Sequence, residues 1–220
     1  MRLLDLFCGA GGAAVGYHRA GFDEIVGVDI DWQPHYPFEF VQADALSGLV
    51  EDMLRKGQWD LVHASPPCQA WTAYRRRGHS VGDSYPELVN EIRGQINRAN
   101  RPYVIENVYG APLRAPIQLC GSSFGLDVRR HRLFEASWMM LAPPCDHSWQ
   151  TPRFPQATNR KNLRSTVEIG VWRIPLETQK RAMGVDWPIE LRELSEAIPP
   201  AYTEWIGSRF LEQMAMEVQT

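Results

Sequence analysis

Strand-like and helix-like segments alternate through the first 110 residues, and this alternation is what most constrains the fold. Short apolar runs at Arg2 to Phe7, Glu24 to Asp29, Phe38 to Gln42, Asp60 to Ala64 and Pro102 to Glu106 predict five strands. Between them, Gly12 to Ala20, Leu46 to Lys56 and Pro86 to Asn100 have the apolar spacing of helices. Strands that alternate with helices form a mostly parallel sheet covered on both faces, the α/β class. Ligands of such sheets bind at the carboxyl ends of the strands.

Beyond Pro112 the pattern changes. Val128 to Ala136 reads as one more strand, and about Leu141 to Arg173 is rich in proline, basic and aromatic residues with poor periodicity. Helical spacing returns at Pro175-Leu176-Glu177-Thr178, where proline suits a first helical turn, and again over Tyr202 to Glu217. The chain thus divides into an α/β part at 1–138, a small lobe at 139–174, and C-terminal helices at 175–220 that return to the first part. At 220 residues, 44% hydrophobic and 22% charged, it reads as an ordinary globular protein. No apolar run approaches a transmembrane span or a signal sequence, and four cysteines without framework spacing suit reduced thiols. A cytoplasmic monomer is expected.

The net charge of −3 does not advertise a nucleic-acid partner, and the distribution is more telling. Residues 129 to 181 hold ten Lys/Arg against four acids, a local excess of +6, and Arg75-Arg76-Arg77 forms a second basic knot. Two such excesses flanking one loop suit a polyanion.

Asp5-Leu6-Phe7-Cys8-Gly9-Ala10-Gly11-Gly12 joins the first strand to the first helix. Its glycines permit a sharp turn and close approach to a ligand. Asp29, twenty residues after Gly9, stands where a carboxylate accepts ribose hydroxyls, and Asp44 follows the third strand, placed for an adenine amino group. These features indicate a nucleoside-containing cofactor, and NAD enzymes use such loops too. Phe7 within the turn and Asp5, suited to a cationic group, favour a methyl donor.

Cys68 sits in Ser65-Pro66-Pro67-Cys68-Gln69, directly after the fourth strand. The two prolines stop the strand and stiffen the turn, so a thiol is presented at a strand's carboxyl end. Glu106-Asn107-Val108 ends the neighbouring fifth strand, and Arg130-His131-Arg132 supplies fixed cations. A thiol beside a carboxyl makes a nucleophile and acid pair.

At five ordered points the chain resembles the DNA (cytosine-5)-methyltransferases: the glycine loop, Pro66-Pro67-Cys68-Gln69, Glu106-Asn107-Val108, Arg130-His131-Arg132 and Ala197-Ile198-Pro199-Pro200-Ala201. The resemblance implies a Rossmann-like S-adenosylmethionine-dependent methyltransferase sheet with a small irregular target-recognition lobe. It implies that Cys68 attacks C6 of a cytosine flipped from double-stranded DNA, that protonated Glu106 donates to N3, and that Arg132 holds O2. Arg130 is expected close to Cys68 or the sugar-phosphate, and Asn107 orients the Pro67-Cys68 backbone. S-adenosyl-L-methionine is expected against Asp5, Phe7, Gly9, Gly11, Gly12, Asp29, Ile30, Asp44, Ala45 and Pro67. DNA contacts are expected from Gln69, Arg75, Arg76, Arg77, Arg153, Arg160, Lys161 and Arg164. The resemblance also implies a phage or restriction-modification setting, with the last motif folded back to the cofactor.

Departures from the family pattern are a lobe of only about forty to fifty residues, Ser195-Glu196 where Gly-Asn is common, and Val128-Arg129 where a glutamine is common. Glu196 is expected near the cofactor's amino acid end. Cys120, His131, Cys145 and His147 lack a standard ligand spacing, so no metal is expected. Two alternatives share these motifs: a cytosine-5 methyltransferase acting on tRNA, and a catalytically idle DNA-binding relative.

Overall fold

The computed structural model describes residues 1–71, 86–150 and 166–217. Seven strands form one sheet: β1 (Arg2–Leu6), β2 (Glu24–Asp29), β3 (Glu39–Gln42), β4 (Leu61–Ala64), β5 (Tyr103–Asn107), β6 (Ile117–Leu119) and β7 (Arg132–Ala136). Their order is β3-β2-β1-β4-β5-β7-β6. β1 to β5 run parallel, and β7 pairs antiparallel with both β5 and β6. The order reverses between β1 and β4, so their loops splay apart and open a crevice at the carboxyl ends. The glycine loop and the Cys68 loop leave from those two strands.

Strand alternation sends side chains to two cores. Leu3 joins Ala14, Tyr17, Tyr202, Ile206 and Phe210 on one face. Leu4 and Leu6 join Val50, Leu54, Ile92 and Ile96 on the other. The first face is covered by α1 (Gly12–Ala20) and the C-terminal helix α6 (Pro200–Glu217), the second by α2 (Gly48–Lys56) and α3 (Val89–Arg98). Helices α1 and α6 touch along their backbones: a Cβ on Gly16 would lie 2.0 Å from Thr203 Oγ1 and 2.1 Å from the Pro200 carbonyl. The Thr203 hydroxyl also donates to the Ala13 carbonyl at 2.8 Å. A third cluster joins Ala10 and Val15 to Met183, Trp187 and Leu194, which come from and follow α4 (Leu176–Met183) and α5 (Leu191–Glu196).

The element order follows the sequence pattern in its main lines; the short helix α5 and a 3-10 turn at Gly121–Phe124 are additions, and three predicted or missed elements differ. The last predicted strand begins at Arg132 and not at Val128, because Arg130 has φ 34° and breaks the extended run. Strand β6 escapes detection, since three residues are too few to show a period. Helix α3 is shorter than Pro86 to Asn100 and ends before Asn100, whose φ of 51° is left-handed.

One buried ion pair locks α3 to the sheet. Arg93 on α3 and Glu135 on β7 are each 2% exposed. Arg93 Nε and Nη2 donate to the two Glu135 oxygens, both at 2.7 Å, a forked geometry suited to carboxylate. Tyr103 Oη and the Arg114 amide complete the carboxylate's partners.

Parts of the expected lobe pack onto the body. Gln150 is buried, with Nε2 donating to the Leu126 carbonyl at 2.9 Å and the Val128 carbonyl at 3.3 Å. The Val167 amide donates to the Asp127 carbonyl at 2.7 Å, and Gln179 on α4 bonds Gly170, Val171 and Ile174. No helix among the described residues is long and apolar enough to cross a membrane.

Candidate active site at the strand ends

The glycine loop leaves β1 through Phe7, a non-glycine residue at φ 57°, followed by Gly9 at 48° and Gly11 at 89°. Phe7 in that region is strained, and such strain concentrates at ligand-binding turns. A side chain on Gly11 is excluded twice over, by its φ and by Pro37 Cδ, 2.7 Å from where a Cβ would sit. Gly12 answers a different demand: its Cβ would lie 2.6 Å from the Ile198 carbonyl. This close approach lets Ala197 to Pro200 fold back over the loop. Trp187 Nε1 adds a bond to the Ala10 carbonyl at 2.9 Å from the same C-terminal part.

Asp29 Oδ2 accepts from the Gly9 amide at 3.0 Å and Oδ1 from the Asp31 amide at 3.1 Å, so this carboxylate holds the loop as well as facing the crevice. Asp5 is fully buried, and its Oδ1 has no hydrogen-bond partner. Burial pushes its carboxyl up to about 8, against a lowering bond from the Tyr36 hydroxyl. Ile30 stands 64% exposed just past β2. Asp44 is exposed and accepts from the Leu46 amide at 2.9 Å, whereas Ala45 is buried in the core beneath it. A buried, unpartnered carboxyl oxygen, which a neighbouring cation would draw toward its ionised form, and an exposed apolar side chain fit a cationic nucleoside; a pyrophosphate would meet the Asp29 carboxylate.

Cys68 and Glu106 meet across the adjacent ends of β4 and β5. Asn107, fully buried, donates from Nδ2 to the Pro66 carbonyl at 2.9 Å and accepts at Oδ1 from the Val108 amide. It thereby fixes the backbone ahead of Pro67 and Cys68. The Cys68 carbonyl accepts from the Trp71 amide at 2.9 Å, closing a turn that leaves Gln69 exposed. Arg132 Nε lies 3.2 Å from Glu106 Oε1. Burial raises the Glu106 carboxyl above its ordinary range, opposed by Arg132, Arg130 and a bond to Ser65. Burial also raises the Cys68 thiol, and the Glu106 charge adds to it, while Arg132 and Arg130 oppose. The substrate-free thiol is therefore held protonated further up the pH scale than a free cysteine. Alkylation of Cys68 followed by peptide mapping should show its pH inflection above that of free cysteine. Glu106→Gln should move the inflection down by removing the second cause; an unchanged inflection would show that the two groups do not interact.

Arg130, expected close to Cys68 or the sugar-phosphate, lies near enough to Cys68 to act on it by charge and also has a structural task. Its guanidinium donates to the carbonyls of Ser195 and Ala197, binding the turn ahead of β7 to the C-terminal motif. Burial lowers it to about 9, and it remains near enough to act on Glu106 and Cys68 by charge. Glu196 is exposed and pairs with Arg192 at 3.6 Å.

Residues that sequence reasoning missed stand behind Glu106. Tyr17 Oη lies 3.1 Å from His63 Nδ1, and His63 Nε2 lies 2.9 Å from Ser65 Oγ. Burial lowers His63 to about 3, so its ring is neutral. With Tyr17 donating to Nδ1, the Nε2 proton goes to Ser65, whose own proton points on to Glu106. Only His63, a polar residue inside a buried strand, hints at this chain in the sequence. Arg75, Arg76, Arg77, Arg153, Arg160, Lys161 and Arg164 lie outside the described residues. The four side chains Cys120, His131, Cys145 and His147, scattered in sequence, converge beside Arg132.

A mostly parallel sheet with a glycine loop at its switch point and a thiol and carboxyl at neighbouring strand ends defines an α/β fold with its crevice at the carboxyl ends of the strands. Residues 1–111, just over half of the chain, match the C-5 cytosine-specific DNA methylase family, and the protein belongs to that family. Relatives include the type II methyltransferases M.FnuDI of Fusobacterium nucleatum, 33% identical over 118 residues, and M.AgeI of Thalassovita gelatinovora, 28% identical over 123. Each alignment covers 50% of this chain but only 33% and 28% of those proteins' own length. The fold is similar along nearly the whole chain to the Dnmt2 methyltransferase of S. pombe, with TM-score 0.62, 13% identity and coverage of 97% of this chain and 99% of that one. The methyltransferase EhMeth of Entamoeba histolytica gives 0.61, 12%, 97% and 98%. The shared fold therefore includes the C-terminal elements beyond residue 111.

Proposed function

We propose that the protein transfers a methyl group to C5 of a cytosine flipped out of double-stranded DNA. The juxtaposition of Cys68, Glu106 and Arg132 at the ends of β4, β5 and β7 carries this reading. S-adenosylmethionine, when bound, supplies an electrophilic methyl group over the crevice. Asp5, Phe7, Gly9, Gly11, Asp29, Ile30 and Asp44 would hold it, with the buried Asp5 carboxyl placed so that a cationic group would favour its ionised form.

Cys68 gives its proton to solvent and bonds to C6 as thiolate; the C5–C6 π pair then forms a C4–C5 double bond as the C4–N3 π pair moves onto N3. Glu106, raised toward its neutral form by burial, delivers a proton to N3 and so neutralises that charge. Arg132 is set to hold the base's O2 beside Glu106. C5 becomes the nucleophile; once it is methylated, loss of its proton breaks the C6–S bond and frees Cys68. Ser65, His63 and Tyr17 orient the Glu106 carboxyl, and Arg130 acts on the site through charge and through the C-terminal turn that it holds.

Duplex DNA carrying 5-fluorocytosine tests this reading, because fluorine cannot leave C5 as a cation and the covalent adduct persists. Incubation with the protein and S-adenosylmethionine is expected to yield a denaturation-resistant complex cross-linked at Cys68. A complex formed on fluorinated tRNA and not on DNA would replace the substrate. No adduct on either, with the cofactor bound, would overturn C6 attack.

A further inference from the structure

Cys120 Sγ, His131 Nε2, Cys145 Sγ and His147 Nε2 face one another, and their ligand atoms all lie within 4.8 Å. His147 Nε2 is 3.2 Å from Cys120 Sγ and 3.1 Å from Cys145 Sγ, and His131 Nε2 is 3.3 Å from Cys145 Sγ. Around a tetrahedral zinc ion, bonds of about 2.3 Å to sulfur and about 2.0 Å to nitrogen place neighbouring S and N roughly 3.5 Å apart. The observed edges are close to that figure.

We propose that these four residues bind a structural zinc ion, independently of the methyl-transfer reading. Two thiolates and two imidazoles are a donor set that zinc prefers, and two thiolates leave the site neutral overall beside Arg129. Four protein ligands close the coordination sphere, so the ion's role is structural.

The surrounding chain is built to hold the ligands in place. The Gly121 amide donates to the Arg129 carbonyl at 2.8 Å, drawing Cys120 toward His131. A Cβ on Gly121 would lie 2.1 Å from the Val128 carbonyl, so only glycine permits that approach. Ser122 Oγ donates to Cys120 Sγ at 3.2 Å and reaches Cys145 Sγ at 3.8 Å, suitable outer-shell support for thiolates. Ser123 Oγ donates to the Pro144 carbonyl at 2.8 Å, fixing the residue before Cys145. Asp146 binds the Ser148 amide and hydroxyl at 2.8 Å and 3.0 Å, shaping the Cys145–His147 turn. These contacts come from three separate segments, which is why no standard ligand spacing is visible in the sequence.

His131 lies between Arg130 and Arg132. The ion would therefore fasten residues 145–147, at the start of the lobe, to the arginine pair that borders Cys68 and Glu106. His131 and Cys145 are exposed, which gives the metal a way in.

The test is metal analysis of the full chain, reconstituted with zinc under reducing conditions and desalted. About one zinc per chain is expected. Cobalt in its place should give the intense visible bands of tetrahedral coordination with thiolate charge transfer. Cys145→Ser, at an exposed position, should lose most of the metal, while Ser208→Ala on α6, whose hydroxyl bonds the Glu204 carbonyl, retains it. Failure to retain zinc, an octahedral cobalt spectrum, or equal zinc in Cys145→Ser would overturn the assignment. A Cys120–Cys145 disulfide persisting in reductant would do so as well. Because the cobalt spectrum is read on the unmutated chain, misfolding of a variant does not shield the proposal.

Discussion

Cys68→Ala is expected to reduce methyl transfer by roughly 10⁴-fold or more, as removal of a covalent nucleophile does in other enzymes. No other described thiol replaces it. Cys8 is buried at the glycine loop, and Cys120 and Cys145 face His131 and His147. Glu106 and Arg132 would remain, but proton donation to N3 without addition at C6 leaves C5 a poor nucleophile. Cofactor affinity should change little, since Asp5, Asp29 and the strained loop do not depend on the thiol. Single-turnover rates with labelled cofactor, together with calorimetric titration of S-adenosylmethionine, separate the two effects. Turnover within about tenfold of the unmodified protein would remove Cys68 as nucleophile.

Arg93→Met should produce the largest loss of stability, about 3–5 kcal/mol, because it strands a buried carboxylate. Glu135 would keep only Tyr103 Oη and the Arg114 amide as donors, both neutral. The double variant Arg93→Met, Glu135→Leu should recover much of the loss, since it removes the stranded charge and leaves apolar groups of similar length. A loss below about 1 kcal/mol in urea melts of the single variant would show that the pair does not hold α3 to the sheet. The pH dependence has a definite sign. Burial pushes the Glu135 carboxyl up, but bonds from Arg93, Arg114 and Tyr103 outweigh it and hold it below its ordinary range. The pair's contribution is present above the unfolded carboxyl's value, about 4.3, and is lost as pH falls through the lower folded value. Arg93→Met should flatten that acid-side loss.

Much of the site was legible because its chemistry is attached to local pattern. Cys68 follows two prolines after an apolar run, the glycine loop interrupts a strand and a helix, and Glu106 ends the next strand. Adjacency of β4 and β5 then brings thiol and carboxyl together without further information. Arg130 was harder to read: its partners are the Ser195 and Ala197 carbonyls, 65 and 67 residues away. Gly16 was invisible for the same reason, since the Pro200 and Thr203 atoms that exclude a side chain there come from the other end of the chain.

By itself, the sequence determined the alternating order of strands and helices and the reactive groups at their ends. Those depend on side-chain period and on residues that stop or turn the backbone, which act over a few neighbours. Only the tertiary structure decided which carbonyls Arg130 binds, which polar chain stands behind Glu106, and that four dispersed sulfur and imidazole groups converge. Such contacts join segments from separate parts of the chain, and their positions follow from how the sheet, its helices and the C-terminal turn pack together.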